Sequence, residues 1–356
     1  MDIRIEKIPA GERKPRPQDE SALGFGRYVT DHMFVMTYDA GQGWHDAIIK
    51  KYENFSLDPA AMVLHYGQAI FEGLKAYRGK NNQIFLFRPQ DNFARMNVTA
   101  SRMCMPEMPV DEVFAGLKKL ITIESDWVPS AKGATLYIRP TMIAIEAGLG
   151  VRPSKQYLFF IILSPVGAYY PEGFNPVKIF VTDKYVRAVP GGVGHVKTAG
   201  NYAASIMAAV EAQAQGYTQV LWLDAVERRY VEEVGTMNIF FVLEDEVITP
   251  PLTGSILPGI TRDSVIRLAR DWGIKVNERR ISIEEVFAAN DQGTLKEIFG
   301  TGTAAVISPV GSLNYKGRVC TINGGKTGSL AQRLFDEIQG LQYGHKEDPY
   351  GWTERV

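Results

Sequence analysis

The sequence predicts a two-domain protein of mixed α+β or α/β class, and three observations carry that expectation. A chain of 356 residues is longer than one hydrophobic core usually fills. Strand-like and helix-like stretches alternate through its first half. The pattern then breaks at "SPVGAYYPEGFNP" (164–176), whose prolines and glycines suit a connection rather than an element. The expected division is a smaller N-terminal α/β domain at 1–165, an interdomain linker at 166–176 and a larger C-terminal domain at 177–356.

Taken in order, "RYVTDHMFVMTY" (27–38) reads as a strand, and "IFLFRP" (84–89) as a short apolar strand stopped by Pro89. "PQDNFARMNVTASRM" (89–103) follows as a helix, with Phe93, Met96 and Val98 expected near one face. "PVDEVFAGLKKLITIESDWV" (109–128) is a second amphipathic helix. "ATLYIRPTMIAIEA" (134–147) and "QYLFFIILSPVG" (156–167) are continuously apolar and rich in β-formers, as buried strands are. Past the linker come strands at "VKIFVTD", "TQVLWLDA" and "YVEEVGTMNIFFVLEDEVITPP", and helices at "TRDSVIRLARDWG" and "SIEEVFAAND". No internal repeat or low-complexity tract interrupts them.

Composition excludes several classes. With 45% hydrophobic and 22% charged residues the chain is ordinary globular protein, and a formal charge of −1 offers no electrostatic draw to nucleic acid or an anionic membrane. Two cysteines far apart, Cys104 and Cys320, make no disulfide framework and suit a reducing compartment. The polar, proline-dotted N-terminus lacks the apolar run of a signal sequence, and no stretch reaches the ~18–20 apolar residues of a membrane span. A soluble cytoplasmic protein is expected.

Familiar catalytic signatures are absent. "GGKTGS" near Gly325 has Cys320 where a phosphate loop needs its leading glycine. "GGVGHVKTAG" has Lys197 where a dinucleotide fingerprint wants its third glycine. No serine follows a glycine by two residues, which removes a nucleophile elbow. The five histidines are scattered with no pair at metal-ligand spacing, so no metal is expected. What stands out is Lys197 itself. Glycines before it supply backbone freedom, and an alanine-rich helix former begins directly after it. A lysine held at such a loop–helix junction and partly desolvated can serve as an amine nucleophile.

If that amine forms a Schiff base with pyridoxal phosphate, the chain must also anchor a phosphate, oppose the pyridine nitrogen with an acid and place a donor near the phenolate oxygen. The ordered motifs "LHYGQAIFEGLKAYRG…LFRPQDNFARM", "LYIRPTMIAIEAGLGV", "GGVGHVKTAGNY", "EVGTMNIFFV", "ILPGITR" and "GTGTAAVISPV" resemble the branched-chain amino-acid aminotransferases, fold-type-IV pyridoxal-phosphate enzymes. The likeness runs from about residue 24 to 343 and is strongest to the longer subgroup that includes animal mitochondrial enzymes. It implies a two-domain fold with pyridoxal 5′-phosphate at the domain interface and a homodimer. The implied reaction transfers amino groups from leucine, isoleucine or valine to 2-oxoglutarate, giving glutamate.

The resemblance also implies roles, residue by residue. Lys197 is the Schiff-base lysine and the carrier of the substrate's α-proton. Tyr202 bonds the phenolate oxygen, and Glu233 faces the pyridine nitrogen. Its neighbour Glu232 is expected on the opposite, solvated side of the strand. Arg95 binds the phosphate with a planar fork of donors, joined by the amides of Ile260 and Thr261 at a helix start and by the Thr236 hydroxyl. The amides of Thr303 and Ala304 hold the substrate α-carboxylate, Thr303 being assigned to cofactor and substrate alike. Phe25, Tyr66, Phe71 and Tyr137 wall the side-chain pocket, with Val151 reaching in across the dimer. Arg139 receives the second carboxylate of 2-oxoglutarate. One departure is visible. The animal mitochondrial enzymes carry Cys-x-x-Cys after the carboxylate turn, and this chain has Ala305-Val306-Ile307-Ser308 there, so no thiol switch is expected. A D-amino-acid aminotransferase or an aminodeoxychorismate lyase would use the same lysine, glutamate and phosphate cup. A non-catalytic binding protein would merely retain the fold.

Overall fold

The computed structural model describes residues 2–167 and 174–356, so most of the expected linker, 168–173, lies outside the described residues. The chain forms two compact units, Met1–Tyr169 with Lys197–Gly200 and Gly340–Val356, and Tyr170–Val196 with Asn201–Gln339. The second region is therefore not the continuous 177–356 of the sequence expectation. Its last segment returns to the first unit because the terminal strand Thr353–Arg355 pairs antiparallel with Ile84–Phe87, and Arg88 N–H donates to Trp352 O at 2.7 Å.

The first unit is built on one nine-stranded sheet. Its strands are β1 (Arg4–Ile5), β2 (His32–Asp39), β3 (Gly43–Lys51), β4 (Ala69–Phe71), β5 (Leu74–Arg78), β6 (Ile84–Phe87), β7 (Thr135–Ala144), β8 (Gln156–Val166) and the terminal strand. The order is β1-β3-β2-β8-β7-β5-β6-terminal strand, with β4 also paired to β7. Apart from the parallel β1–β3 edge the pairs are antiparallel. β7 and β8 match the two continuous apolar stretches, and Tyr137 and Arg139 stand opposite Ser164 and Ile162 along them.

Three helices belong to this unit: α1 (Met62–Tyr66), α2 (Pro89–Arg102) and α3 (Val110–Ile123). Pro89 opens α2, where its missing N–H costs no helical bond. Phe93, Met96 and Ala100, at helical spacing, are fully buried in the core with Leu117, Leu120 and Ile121 of α3 and Phe34 and Phe159 of the sheet. Each such large side chain contributes roughly 1.5–3 kcal/mol of burial. Val98 is the exception to the expected face: it is 57% exposed. Five residues on from Phe93 is about 500° of helical rotation, which turns Val98 well off the stripe.

The second unit carries another nine-stranded sheet, from β9 (Val177–Thr182), β10 (Gln219–Leu223), β11 (Val231–Val234), β12 (Asn238–Val242), β13 (Val247–Thr249), β14 (Val276–Glu278), β15 (Glu297–Gly302), β16 (Val306–Tyr315) and β17 (Arg318–Thr321). The order β11-β10-β9-β16-β15-β12-β13-β14, with β17 beside β16, mixes parallel and antiparallel pairs. Stacked Phe240 and Phe299, 5.3 Å between centroids, sit on adjacent strands. Helix α4 (Ala199–Ala214) begins two residues after Lys197, and α5 (Ile260–Asp271), α6 (Ile283–Asp291) and α7 (Ser329–Gln342) follow along the chain. The strands thus fold as two separate sheets, with turns β11–β12 and β15–β16 presenting short loops.

Candidate active site

In the first unit, Lys197 is fastened to the edge strand β4. Phe71 N–H donates to Lys197 O at 3.1 Å, and Thr198 bridges Ile70 while its hydroxyl donates to Ala69 O at 2.9 Å. Lys197 N–H donates to the Thr99 hydroxyl of α2 at 3.2 Å. The main chain around the lysine is therefore held by β4 and α2, with the amine on a half-buried side chain 5.1 Å from the centre of the Phe71 ring.

Phe71, Tyr137 and Arg139 come together beside it. The Arg139 guanidinium carbon lies 4.6 Å from the Phe71 ring centre and 5.2 Å from that of Tyr137, and its Nη2 donates to the Tyr137 hydroxyl at 3.1 Å. Its Nε is buried and makes no hydrogen bond among the described residues. Phe25 packs edge-on to Tyr137 at 4.9 Å. Gly73 makes this fit possible, because a Cβ there would lie 2.1 Å from the Tyr137 hydroxyl. Tyr66, exposed at the end of α1, donates its hydroxyl to Leu149 O. Val151, two residues beyond Leu149, is 84% exposed.

Arg95, on the inner turns of α2, meets a partner with no sequence-derived role. Its Nε and Nη2 donate to Glu72 Oε1 and Oε2 at 2.7 and 2.9 Å, and Glu72 is completely buried. Burial pushes the Glu72 carboxyl up, but Arg95, the charge of Lys197 and the Asn92 amide outweigh it and hold the group below the ordinary glutamate value. Glu72 stands in the quoted "IFEGLK" motif, adjacent to Phe71; that adjacency is its only sequence signal.

The second unit holds Glu233, the carboxylate expected to oppose a pyridine nitrogen. Glu233 on β11 is 2% exposed; Arg187 Nε lies 2.6 Å from its Oε2, and Asn238 Nδ2 donates to its Oε1 at 3.0 Å. Arg187 also donates to Gly194 O and Ser255 O, at 3.2 and 2.9 Å. Neither Arg187 nor Asn238 is legible in the sequence, where each reads as an ordinary polar residue. Glu232 corrects an expectation: it is only 8% exposed, bonded by the Ser255 hydroxyl, and burial raises its carboxyl above the usual range. Strand alternation does send the two glutamates to opposite faces, but both faces of β11 are covered.

Asn238 Nδ2 donates to Leu257 O at 2.9 Å as well, tying Glu233 to the approach of α5. Helix α5 starts at Ile260 after Gly259, with no side-chain cap on its first amides. A Cβ at Gly259 would meet Asn238 Oδ1 at 2.0 Å. Thr261 is buried and Ile260 half-buried at that terminus, where amides and helix dipole favour an anion. Thr236 is exposed in the Gly235–Thr236 turn joining β11 to β12, and Tyr202 is half-buried in the first turns of α4. Thr303 and Ala304 form the tight turn between β15 and β16, closed by the Gly302–Val306 pair. Val306 ends it at φ 62°, a left-handed conformation costing a β-branched residue about 1–3 kcal/mol. Among the described residues no cluster of three metal-binding side chains occurs and no helix is long and apolar enough to cross a membrane.

Comparison with known proteins places these motifs in a family. The amino-transferase class IV profile matches residues 69–313. Branched-chain-amino-acid aminotransferase 2 of Bacillus subtilis is 53% identical over 354 residues, spanning 99% of this chain and 97% of that protein. The crystal structure of the Escherichia coli branched-chain amino acid aminotransferase superposes with a TM-score of 0.75 at 29% identity, covering 90% of this chain and 98% of that one. That of the branched-chain aminotransferase from the archaeon Thermoproteus uzoniensis with norvaline gives 0.75 at 27% identity, over 91% and 99%. The mixed α+β fold is accordingly the fold-type-IV one, and the chain belongs to the branched-chain amino-acid aminotransferases of aminotransferase class IV.

Proposed function

We propose that the chain is a branched-chain L-amino-acid transaminase that uses pyridoxal 5′-phosphate to pass the amino group of leucine, isoleucine or valine to 2-oxoglutarate in two alternating half-reactions. The observation that carries this reading is the Arg139 cluster: one guanidinium laid on Phe71 and Tyr137, in the unit that also holds Lys197. Apolar aromatic walls accept branched aliphatic chains with little discrimination among them, since one methylene is worth only ~1–3 kcal/mol. The buried Arg139 Nε supplies a donor for a substrate carboxylate.

The residues also fit the cofactor: a lysine at a loop–helix junction, a buried carboxylate anchored from both oxygens, and a helix start without a side-chain cap. When bound, pyridoxal phosphate supplies an electron sink for the substrate α-carbon. Lys197 Nζ would hold the cofactor, and its amine, when the substrate's amino group has taken its place, would serve as the base for the substrate's α-proton. Tyr202 would donate to the cofactor's phenolate oxygen, and Glu233 would hold a proton at its ring nitrogen. Arg95, Thr236 and the amides of Ile260 and Thr261 bind its phosphate. The Thr303 and Ala304 amides hold the substrate α-carboxylate. Phe25 and Tyr66 extend the aromatic wall.

We read the working form as a cytoplasmic homodimer, in which exposed Val151 enters the partner's pocket; the 84% exposure of that apolar side chain supports the reading. The test is a transamination screen of purified protein with 2-oxoglutarate and L-leucine, L-isoleucine, L-valine or D-alanine, read as glutamate formed. Glutamate from the three L-amino acids is expected. Turnover of D-alanine alone would favour a D-amino-acid aminotransferase, and none with any amino acid would favour a lyase or a binding protein.

A further inference from the structure

We propose that Glu72 is a positioning residue for the cofactor's phosphate: it aims Arg95, and through Arg95 sets how tightly the phosphorylated cofactor is held. The inference rests on the assignment of Arg95 to the phosphate made above. Its basis is the order in which the bonds are anchored. Glu72 Oε2 accepts from the Gly73 main-chain N–H at 3.1 Å and from Asn92 Nδ2 at 2.9 Å, so the carboxylate is fixed by groups other than Arg95. Asn92 Nδ2 in turn donates to Gly73 O at 3.3 Å, closing a small ring around the glutamate. Onto this fixed carboxylate Arg95 lays Nε and Nη2, at 2.7 and 2.9 Å.

A guanidinium is planar, and two parallel bonds leave it no rotation about the bonded edge. The orientation of the whole guanidinium, Nη1 included, is therefore dictated by Glu72. The base of α2 is held too, since the Thr99 hydroxyl donates to Arg95 O at 3.0 Å and accepts the Lys197 amide at 3.2 Å. Glu72 also neutralises Arg95, so what the arginine brings to a phosphate is aim more than net charge. The carboxylate stays ionised because Arg95 and Lys197 overcome the effect of its burial.

Glu72→Asp tests the aim alone, because it keeps the charge and shortens the arm by one methylene. Binding of pyridoxal phosphate and of pyridoxal, which lacks the phosphate, is measured by titration of cofactor-free protein. The expected result is a loss of about tenfold in affinity for pyridoxal phosphate, the scale of one charge-assisted hydrogen bond, with pyridoxal affinity unchanged. In the background of Arg95→Gln the same change should cost nothing further, because its effect runs through the arginine. Equal losses for both ligands, additive losses in the double variant, or a variant that binds neither ligand would each make Glu72 a structural residue and overturn the inference. A wild-type protein that takes up no pyridoxal phosphate would instead overturn the functional reading, and that control is run first.

Discussion

Replacing Arg139 by methionine separates the two substrates that the proposed reaction brings to one pocket. The arginine sits over the Phe71 ring, donates to the Tyr137 hydroxyl at 3.1 Å and keeps a buried Nε without an acceptor among the described residues. Its charge is thus partly met by the two aromatic faces, which are worth about 0.5–2 kcal/mol to a cation. An apolar leucine side chain can therefore lie nearby without stranding a fully desolvated charge, which would cost several kcal/mol. Methionine preserves the apolar length and removes the donors. The half-reaction with 2-oxoglutarate should lose one charge-assisted carboxylate interaction, about 1.5–3 kcal/mol, or roughly 10–150-fold in rate over affinity. The leucine half-reaction loses only the ring contacts around the arginine and should change by about fivefold or less. Single-turnover kinetics of each half, followed by the cofactor's colour change, measure the two separately. Equal losses in both halves would refute the reasoning and reduce Arg139 to a wall residue.

Lys197→Ala should abolish turnover with the fold intact by circular dichroism, and borohydride reduction of the cofactor-loaded wild type should label Lys197. Lys75, which burial alone lowers to about 8, is the internal control, and label there would move the assignment. Glu233→Gln should slow α-proton removal at least about 100-fold while leaving amino-acid affinity nearly unchanged, the signature of a transition-state effect of that general size. Glu232→Gln should keep activity, since the amide can still accept from Ser255. Because burial raises the Glu232 carboxyl, wild-type stability falls as pH rises from the unfolded value through the folded one, and chemical denaturation should show that slope weakened in Glu232→Gln. Arg95→Ala leaves Glu72 buried without its ion-pair partner, so a loss of up to about 3–5 kcal/mol in stability should accompany the loss of cofactor, and excess pyridoxal phosphate should restore activity only in part. The Glu72 carboxyl is held low in the native state, so its contribution is complete above about pH 4.5 and disappears as acid takes the pH below the folded value; acid unfolding of Glu72→Gln should be the shallower.

Short-range features are legible without any knowledge of the fold. The glycines before Lys197, the helix former after it and the strand–turn–strand of "EVGTMNIFFV" express their meaning within a few residues, and all three stand where the sequence puts them. The six ordered motifs make the family recognisable for the same reason. Sequence and structure part where several neighbours act at once. Strand alternation says that the face of Glu232 differs from that of Glu233, but not what covers that face, and here it is covered. Val98 shares an apolar stretch with Phe93, yet a phase difference of about 140° along the helix puts it outside.

The ordered motifs are sufficient for the family, and local sequence is sufficient for the loop–helix junction at Lys197 and the small-residue turns, because backbone freedom, helix propensity and hydrophobic period are properties of neighbouring residues. Pairings across the fold are not. Glu72 and Arg95 are 23 residues apart, and nothing in that separation announces a two-point ion pair. Arg187 and Glu233 are 46 residues apart and meet only through packing, and the terminal strand pairs with Ile84–Phe87 from the far end of the chain. Which carboxylate is buried, and which arginine compensates it, follows from long-range strand pairing and from the cost of leaving a charge dry and alone, and neither acts until the tertiary structure has closed.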